Sequence, residues 1–313
     1  MNKLKKAGNY INRNKWAYLL LVPGCLYFII FRYVPMWYLQ MAMRDFQPIL
    51  AAMQGESLIK ASPWVGLQNF IILFKSPYFL RALRNTLVLS GYNILFGFPL
   101  PIVLALLMNE IRRPFYKRLI QSTLYLPHFL SWVIVYGVFS TLLSKSGIVN
   151  LLLFGKDTIM NGEGIMFFAN QSYFRGVLVV SNLWKTVGWG TIVYLAAISG
   201  VDVSLYEAAV IDGANRWQQT LHITLPTIIP TIIVVFLLSL GNVLGIFEQV
   251  LVMYNAAVYE VSDTIGTLVY RQGIVNGDFS YATAAGLFQS FVGMALAVGM
   301  NVLAKKTQQI SLY

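Results

Sequence analysis

Charged side chains are scarce in this sequence. Asp, Glu, Lys and Arg make up 11% of its 313 residues, against roughly a quarter in a soluble globular domain. A soluble chain of this length needs more charge to cover its surface, so a pair of ordinary soluble domains is excluded. Disorder is excluded as well, because 57% of the residues are hydrophobic and disordered chains are poor in apolar side chains. A single cysteine, Cys25, leaves no disulfide framework and no thiolate metal site. The only histidines, His128 and His222, are far apart and form no helical His-x-x-x-His metal pair. No Gly-x-x-x-x-Gly-Lys-Ser/Thr run occurs, and Gly155-Lys156-Asp157 does not qualify, so the chain lacks a phosphate-cradling loop of its own. Internal repeats and low-complexity tracts are absent too.

What is present is apolar sequence, with a mean hydropathy of +0.63. The class it defines is an all-α polytopic membrane protein. A helix needs about 20 apolar residues to cross a bilayer core. Stretches without Asp, Glu, Lys or Arg run over 85–109, 119–144, 223–247 and 279–304. Two further candidates each carry one cation: 16–38, with Arg32, and 176–201, with Lys185. Six spans are predicted. The basic start followed by an apolar run also resembles a signal peptide. The extension through Tyr33-Val34-Pro35-Met36-Trp37-Tyr38, rich in interfacial aromatics, favours a retained helix end.

The net charge is +11, but it is gathered into short segments. Residues 1–15 carry Lys3, Lys5, Lys6, Arg13 and Lys15; the 110–118 segment carries Arg112, Arg113, Lys117 and Arg118; the tail 305–313 carries Lys305 and Lys306. With six spans these segments fall on one side, which the positive-inside rule makes cytoplasmic. Both termini are then inside. That pattern suits an anionic membrane surface rather than a nucleic acid.

One cytoplasmic loop breaks the rule. Residues 202–222 hold Arg216 as their only Lys or Arg, against Asp202, Glu207 and Asp212. Ser204 and Glu207 have capping-box spacing, which predicts a short helix from Ser204. Leu205, Ala208, Ala209 and Ile211 give it a small apolar face, and Gly213 suits its end. Asn215 and Gln218 predict a second short helix, leading into a span with Pro226 in its first turn. The loop reads as a helix-turn-helix whose nearly uncharged face suits a groove on another protein.

The spacing Glu207-Ala208-Ala209, three residues, Gly213, nine residues, Ile223-x-Leu225-Pro226 resembles the signature of the membrane subunits of binding-protein-dependent ABC importers. Every fixed position is matched. Trp64-Val65-Gly66-Leu67-Gln68-Asn69-Phe70 and Gly147-Ile148-Val149-Asn150-Leu151-Leu152 resemble segments of carbohydrate permeases. Three further stretches resemble the complex-sugar subfamily: Pro23-Gly24 to Pro35-Met36, Trp184 to Gly190, and Phe247-Glu248-Gln249 to Tyr254-Asn255.

This resemblance implies a type I importer permease fold, with a cytoplasmic coupling helix between the fourth and fifth spans. It implies a second homologous permease, two ATPases that bind the coupling helices, a solute-binding protein outside, and a carbohydrate substrate, most specifically an oligosaccharide. ATP and Mg would then be used by the ATPase partner, with no cofactor on this chain. Glu207 would make the polar contact at the ATPase groove, Ala208 and Ala209 would allow close approach, and Gly213 would permit the turn. The plainer reading of Glu207 is closure of the capping box.

Polar and aromatic residues near the outer halves of the fourth and fifth spans supply a candidate sugar path: Asn182, Trp184, Lys185, Trp189, Asn242, Glu248 and Gln249. Sugars offer hydroxyls to polar side chains and apolar ring faces to aromatics. Lys185 would favour an acidic sugar if it faces the pore; otherwise it snorkels to the membrane surface, as does Arg32. Asn242 and Gln249, seven apart, would share a helix face, with interhelical hydrogen bonding as the alternative role. Gly241-x-x-x-Gly245 suggests close helix packing, and His128 is expected to bond a neighbouring backbone. A secondary transporter would need intramembrane acids, and no Asp or Glu lies in the six spans. A membrane enzyme would need clustered acids, histidines or a nucleophile pair, which are equally lacking.

Overall fold

The computed structural model describes residues 13–54, 57–241 and 244–308. Most of the basic N-terminal segment, Asn242 and the end of the tail therefore lie outside the described residues. Among those described, no strand forms beyond one antiparallel bridge between Arg44 and Trp64. The chain divides into two compact units, residues 1–73 with 272–287 and residues 74–271 with 288–313.

In the first unit a helical run, α1 (Lys15–Met43), carries a π turn over Ile29–Tyr33 that includes Arg32. It runs five residues past the end of the predicted span, and none of its most apolar window is buried. The Gly-Leu-x-Asn-Phe segment that follows is a clasp. Gly66 turns the chain with φ +61°, and the Asn69 amide donates to the carbonyls of Ala42 and Arg44.

The second unit holds the bundle. Helix α2 (Pro77–Asn109) begins eight residues before its predicted start. Ser76 caps it by accepting from Phe79 N–H, and Arg81, one turn before the charge-free run, is paired with Glu260. A π turn over Asn93–Gly97 widens α2 halfway along. The predicted third span is not one helix. It is α3 (Pro114–Phe129) and α4 (Trp132–Leu142), bent by 106°. Leu130 is extended between them, and Ser131 caps α4 by accepting from Ile134 N–H. A charge count cannot see a break built from Pro127 and Ser131.

Helix α5 (Gln171–Ser199) crosses the unit and is its central element. Two glycines let it pack closely: a Cβ at Gly188 would collide with the carbonyl oxygen of Leu124 on α3, and one at Gly190 would lie 3.0 Å from the ring of Pro101 on α2. A 70° bend leads from α5 to α6 (Val203–Ile211), and α7 (Arg216–Leu240) follows. Pro226 therefore lies ten residues inside a continuous helical run rather than in its first turn. A π turn over Thr220–Thr224 precedes it, and such a turn accommodates the altered backbone bonding. The helical residues are described as far as Gly241, residues 244–247 are not helical, and Gln249 sits on a separate short helix, α8 (Glu248–Met253). The expectation that Asn242 shares a helix face with Gln249 lies outside the described residues. Gly241-x-x-x-Gly245 is not one helical stripe, because Gly245 is in the connection. The last helix is α9 (Phe279–Gln308).

Two clusters form the core of this unit. Leu89, Val135, Phe174, Leu178, Val250, Met253 and Val258 make one. Ala105, Met108, Tyr194, Leu195, Ile198 and Ile228 make the other. By length and composition four helices can cross a membrane, or six when each bent pair is one span.

Candidate functional site

The loop between α5 and α7 folds as a helix-turn-helix, with each end closed by its own side chains. The start of α6 differs from the predicted one. Asp202, extended at φ −64° and ψ 125°, is the N-cap, and its Oδ1 accepts from Ser204 N–H at 2.9 Å. That hydrogen bond, aided by the Ser204 hydroxyl, holds the Asp202 carboxyl below its ordinary pKa. Ser204 and Glu207 form no capping box. Glu207 is exposed and has no partner among the described residues, so its carboxylate remains available.

The end of α6 is a Schellman turn. Gly213 has φ +80°; its N–H reaches Val210 O at 3.1 Å, and Ala214 N–H reaches Ala209 O at 2.8 Å. Asn215 and Gln218 then make the reciprocal capping box expected of them, at 2.9 and 2.8 Å. The Tyr206 hydroxyl meets Thr224 Oγ1 at 2.8 Å, pinning α6 to the π turn of α7. Leu225 packs on the core cluster around Tyr194 and Ile228. Ile223 lines a small cleft of about 300 Å³ with Ala209, Asp212 and Gly213. Pro226 is exposed on α7. The loop is thus rigidly joined to the bundle, yet it leaves apolar side chains bare: Ile211 is 86% exposed, Trp217 69% and Val203 66%. A cluster of that kind marks a protein interface.

The intramembrane candidates separate into three environments. Asn182 and Trp189 line a cavity of about 350 Å³ between α2, α5 and α7. Asn182 Nδ2 donates to Asn93 Oδ1 at 3.1 Å across it. Ser90, Asn93, Thr186, Tyr194 and Ser239, not singled out from the sequence, complete its polar lining. Tyr194 is 1% exposed, and its hydroxyl has no hydrogen-bond partner among the described residues. Asn93 is one of several polar residues inside the charge-free run 85–109; which of them meets the cavity carries no signal without the packing.

Lys185 lies elsewhere. Its ammonium donates to the carbonyl of His128 at 2.7 Å and to that of Leu130, and sits 5.5 Å from the centre of the Trp132 ring. These carbonyls are the ones freed where α3 stops. Irregular backbone at membrane depth survives only if protein groups satisfy it, and a cation at a helix C-terminus does so with favourable charge. His128 itself stacks on Trp189, with ring centres 4.7 Å apart and planes at 7°. Its Nδ1 is buried without a partner among the described residues, contrary to the expected backbone bond.

The remaining candidates do not join the cavity. Trp184 packs edge-on against Phe139. Gln249 is buried and donates to Leu178 O at 2.6 Å and Ser181 Oγ at 2.9 Å. Glu248 is exposed in the first turn of α8. Asn150, from the Gly-x-x-Asn-x-Leu segment, is a second clasp: it bonds Ser144 O and exchanges two hydrogen bonds with Ile165.

A bundle of apolar helices with an apolar-tipped helix-turn-helix between α5 and α7 defines the permease class of importer subunits. Residues 97–309 match the family described as "Binding-protein-dependent transport system inner membrane component", and the chain belongs to that family. It is 45% identical to Protein LplB of Bacillus subtilis (strain 168), over 97% of this chain and 92% of that protein. It is 44% identical to the polygalacturonan/rhamnogalacturonan transport system permease protein YteP of the same organism, over 96% and 91%. Its structure is similar to a chain of a bacterial ABC transporter involved in the import of the acidic polysaccharide alginate, with a TM-score of 0.86 and 39% identity, covering 97% of this chain and 99% of that one. That transporter has also been solved in complex with an alginate pentasaccharide-bound periplasmic protein.

Proposed function

We propose that this permease forms half of the translocation pore of an ATP-driven importer for a carbohydrate, most specifically an oligosaccharide carrying uronic acid units. The observation that carries the reading is the α6 loop: a capped, pinned helix presenting a free Glu207 beside bare apolar side chains. Two ATPases, which bind ATP and Mg in place of this chain, dock on the coupling helices of this subunit and of a second homologous permease. Ala208 and Ala209 admit the ATPase surface and Glu207 gives the polar contact. A solute-binding protein delivers the sugar outside. The chain crosses the membrane six times, with both termini and residues 202–222 in the cytoplasm. The names of the relatives support the substrate class, since pectin-derived and alginate polymers are both acidic. Asn182 and Trp189 in the α2–α5–α7 cavity are the substrate-path residues best placed for a sugar.

The test is reconstitution with a second permease, an ATPase and a solute-binding protein from the same organism. Uptake of a labelled oligogalacturonide is expected only with all components and ATP. Glu207→Lys should insert normally and fail to retain the ATPase on purification. Normal uptake by that variant removes the docking role, and uptake of only a peptide, amino acid or metal removes the substrate class.

A further inference from the structure

We infer that a groove on the flank of α5 holds an anionic phospholipid. Beside the π turn of α2, Tyr92 and Phe96 of that helix and the outer flank of α5 line a groove of about 560 Å³. Its lining is segregated. Gln171, Ser172 and Arg175, on the first turns of α5, form one end. Phe96, Val179, Val180 and Leu183 continue it inward. From Gln171 to Leu183 a helix rises roughly 18 Å, close to the ~15 Å half-thickness of a hydrocarbon core. A groove that is polar over one turn and apolar over the next two fits an amphiphile. A sugar chain would need polar partners along its whole length.

Arg175 identifies the polar end. Its Nε donates to Val261 O at 3.1 Å and its NH2 to Asn85 Oδ1 at 2.8 Å, so the guanidinium is held by neutral acceptors. Among the described residues the ion pairs are Arg81–Glu260 and Arg271–Asp263, leaving Arg175 half-buried without a counter-charge. A cation taken partly out of water seeks an anion, and a guanidinium with free N–H groups matches a phosphate. The groove contains no carboxylate to receive an ammonium, which favours phosphatidylglycerol over a zwitterionic lipid. Gly176 leaves the floor open: no atom lies within 4 Å of a Cβ built there.

The assembled transporter, exchanged into mixed phosphatidylglycerol and phosphatidylcholine, tests this by native mass spectrometry. The wild type is expected to retain phosphatidylglycerol in preference. Arg175→Gln should abolish the preference, and Gly176→Leu, which fills the groove, should lower retention about tenfold. A photoactivatable phosphatidylglycerol should label the peptide holding Val180 and Leu183 in the wild type, which keeps the test independent of how the variants fold. Equal retention in all three proteins together with no labelling of that peptide overturns the inference. So does release of the lipid by a soluble oligogalacturonide, which would make the groove part of the sugar path. Protection of the groove by the second permease, seen as labelling of the isolated chain only, also overturns it.

Discussion

Asp202 stands outside the importer signature, yet it sets where the coupling helix begins. Because Ser204 N–H holds its carboxyl below the ordinary value of 3.8, the ionised form is the one that caps. A carboxyl depressed on folding contributes stability above its unfolded pKa and loses it as pH falls through the folded one. The cap is therefore intact at neutral pH and is lost only as pH falls through a pKa that lies below the ordinary carboxyl value. Hydrogen exchange of the 203–207 amides should show this, and Asp202→Ala should reproduce the acid state at pH 7, while Asp202→Ser keeps the helix closed. Lys185 is a second residue whose role follows from its partners. Lys185→Met leaves two carbonyls at the α3–α4 break without their donor, at about 1–3 kcal/mol each. A marked fall in thermal stability of the complex is expected, with partial rescue by Lys185→Arg. Unchanged stability with a selective loss of acidic-sugar uptake would instead place the ammonium in the pore.

At the scale of elements, close packing between α5 and α3 depends on a missing side chain. Gly188→Val forces a branched side chain against the Leu124 carbonyl, and such overpacking costs about 1–3 kcal/mol or more. Membrane yield of the assembled transporter should fall, whereas Gly176→Ala, in open space, should leave it unchanged. The segment after α8 is fixed differently. Asp263 is fully buried and takes two hydrogen bonds from Arg271, at 3.1 and 2.6 Å, which raise the Arg271 pKa above its ordinary value. Asn85 donates to the carbonyls of Glu260 and Asp263, tying this segment to α2. Removing one partner of a buried pair strands the other, at about 3–5 kcal/mol. Arg271→Met should therefore loosen residues 256–271, read as increased proteolysis between α8 and α9.

At the scale of the whole molecule, the six-crossing reading makes opposite predictions for two positions in connecting segments. Single cysteines at 155 and 210, in a Cys25→Ser background, should label from opposite sides of sealed vesicles. Labelling of both from one side would refute the topology. The purified single chain should show no ATP hydrolysis; turnover should appear on adding the ATPase and rise with sugar-loaded binding protein.

The chain's membrane character and the position of its helix-turn-helix loop followed from the sequence, because each depends on local composition or a fixed spacing. Asn215 with Gln218, and Gly213 at the helix end, were legible for the same reason: a cap joins residues three or four apart. The break between α3 and α4, the early start of α2 and the interruption before α8 were not. Breaks at membrane depth depend on whether distant groups satisfy the freed carbonyls, and Lys185 is more than fifty residues from those it serves. Gly-Leu-x-Asn-Phe and Gly-x-x-Asn-x-Leu were visible as family marks, but only the folded chain gives them a task, as clasps closing their loops. Of the path candidates, Asn182 and Trp189 share a cavity with residues from α2 and α7, whereas Gln249 turns into the core. Which side of a helix meets a cavity is decided by the neighbours packed around it, and those neighbours are set by the tertiary structure alone.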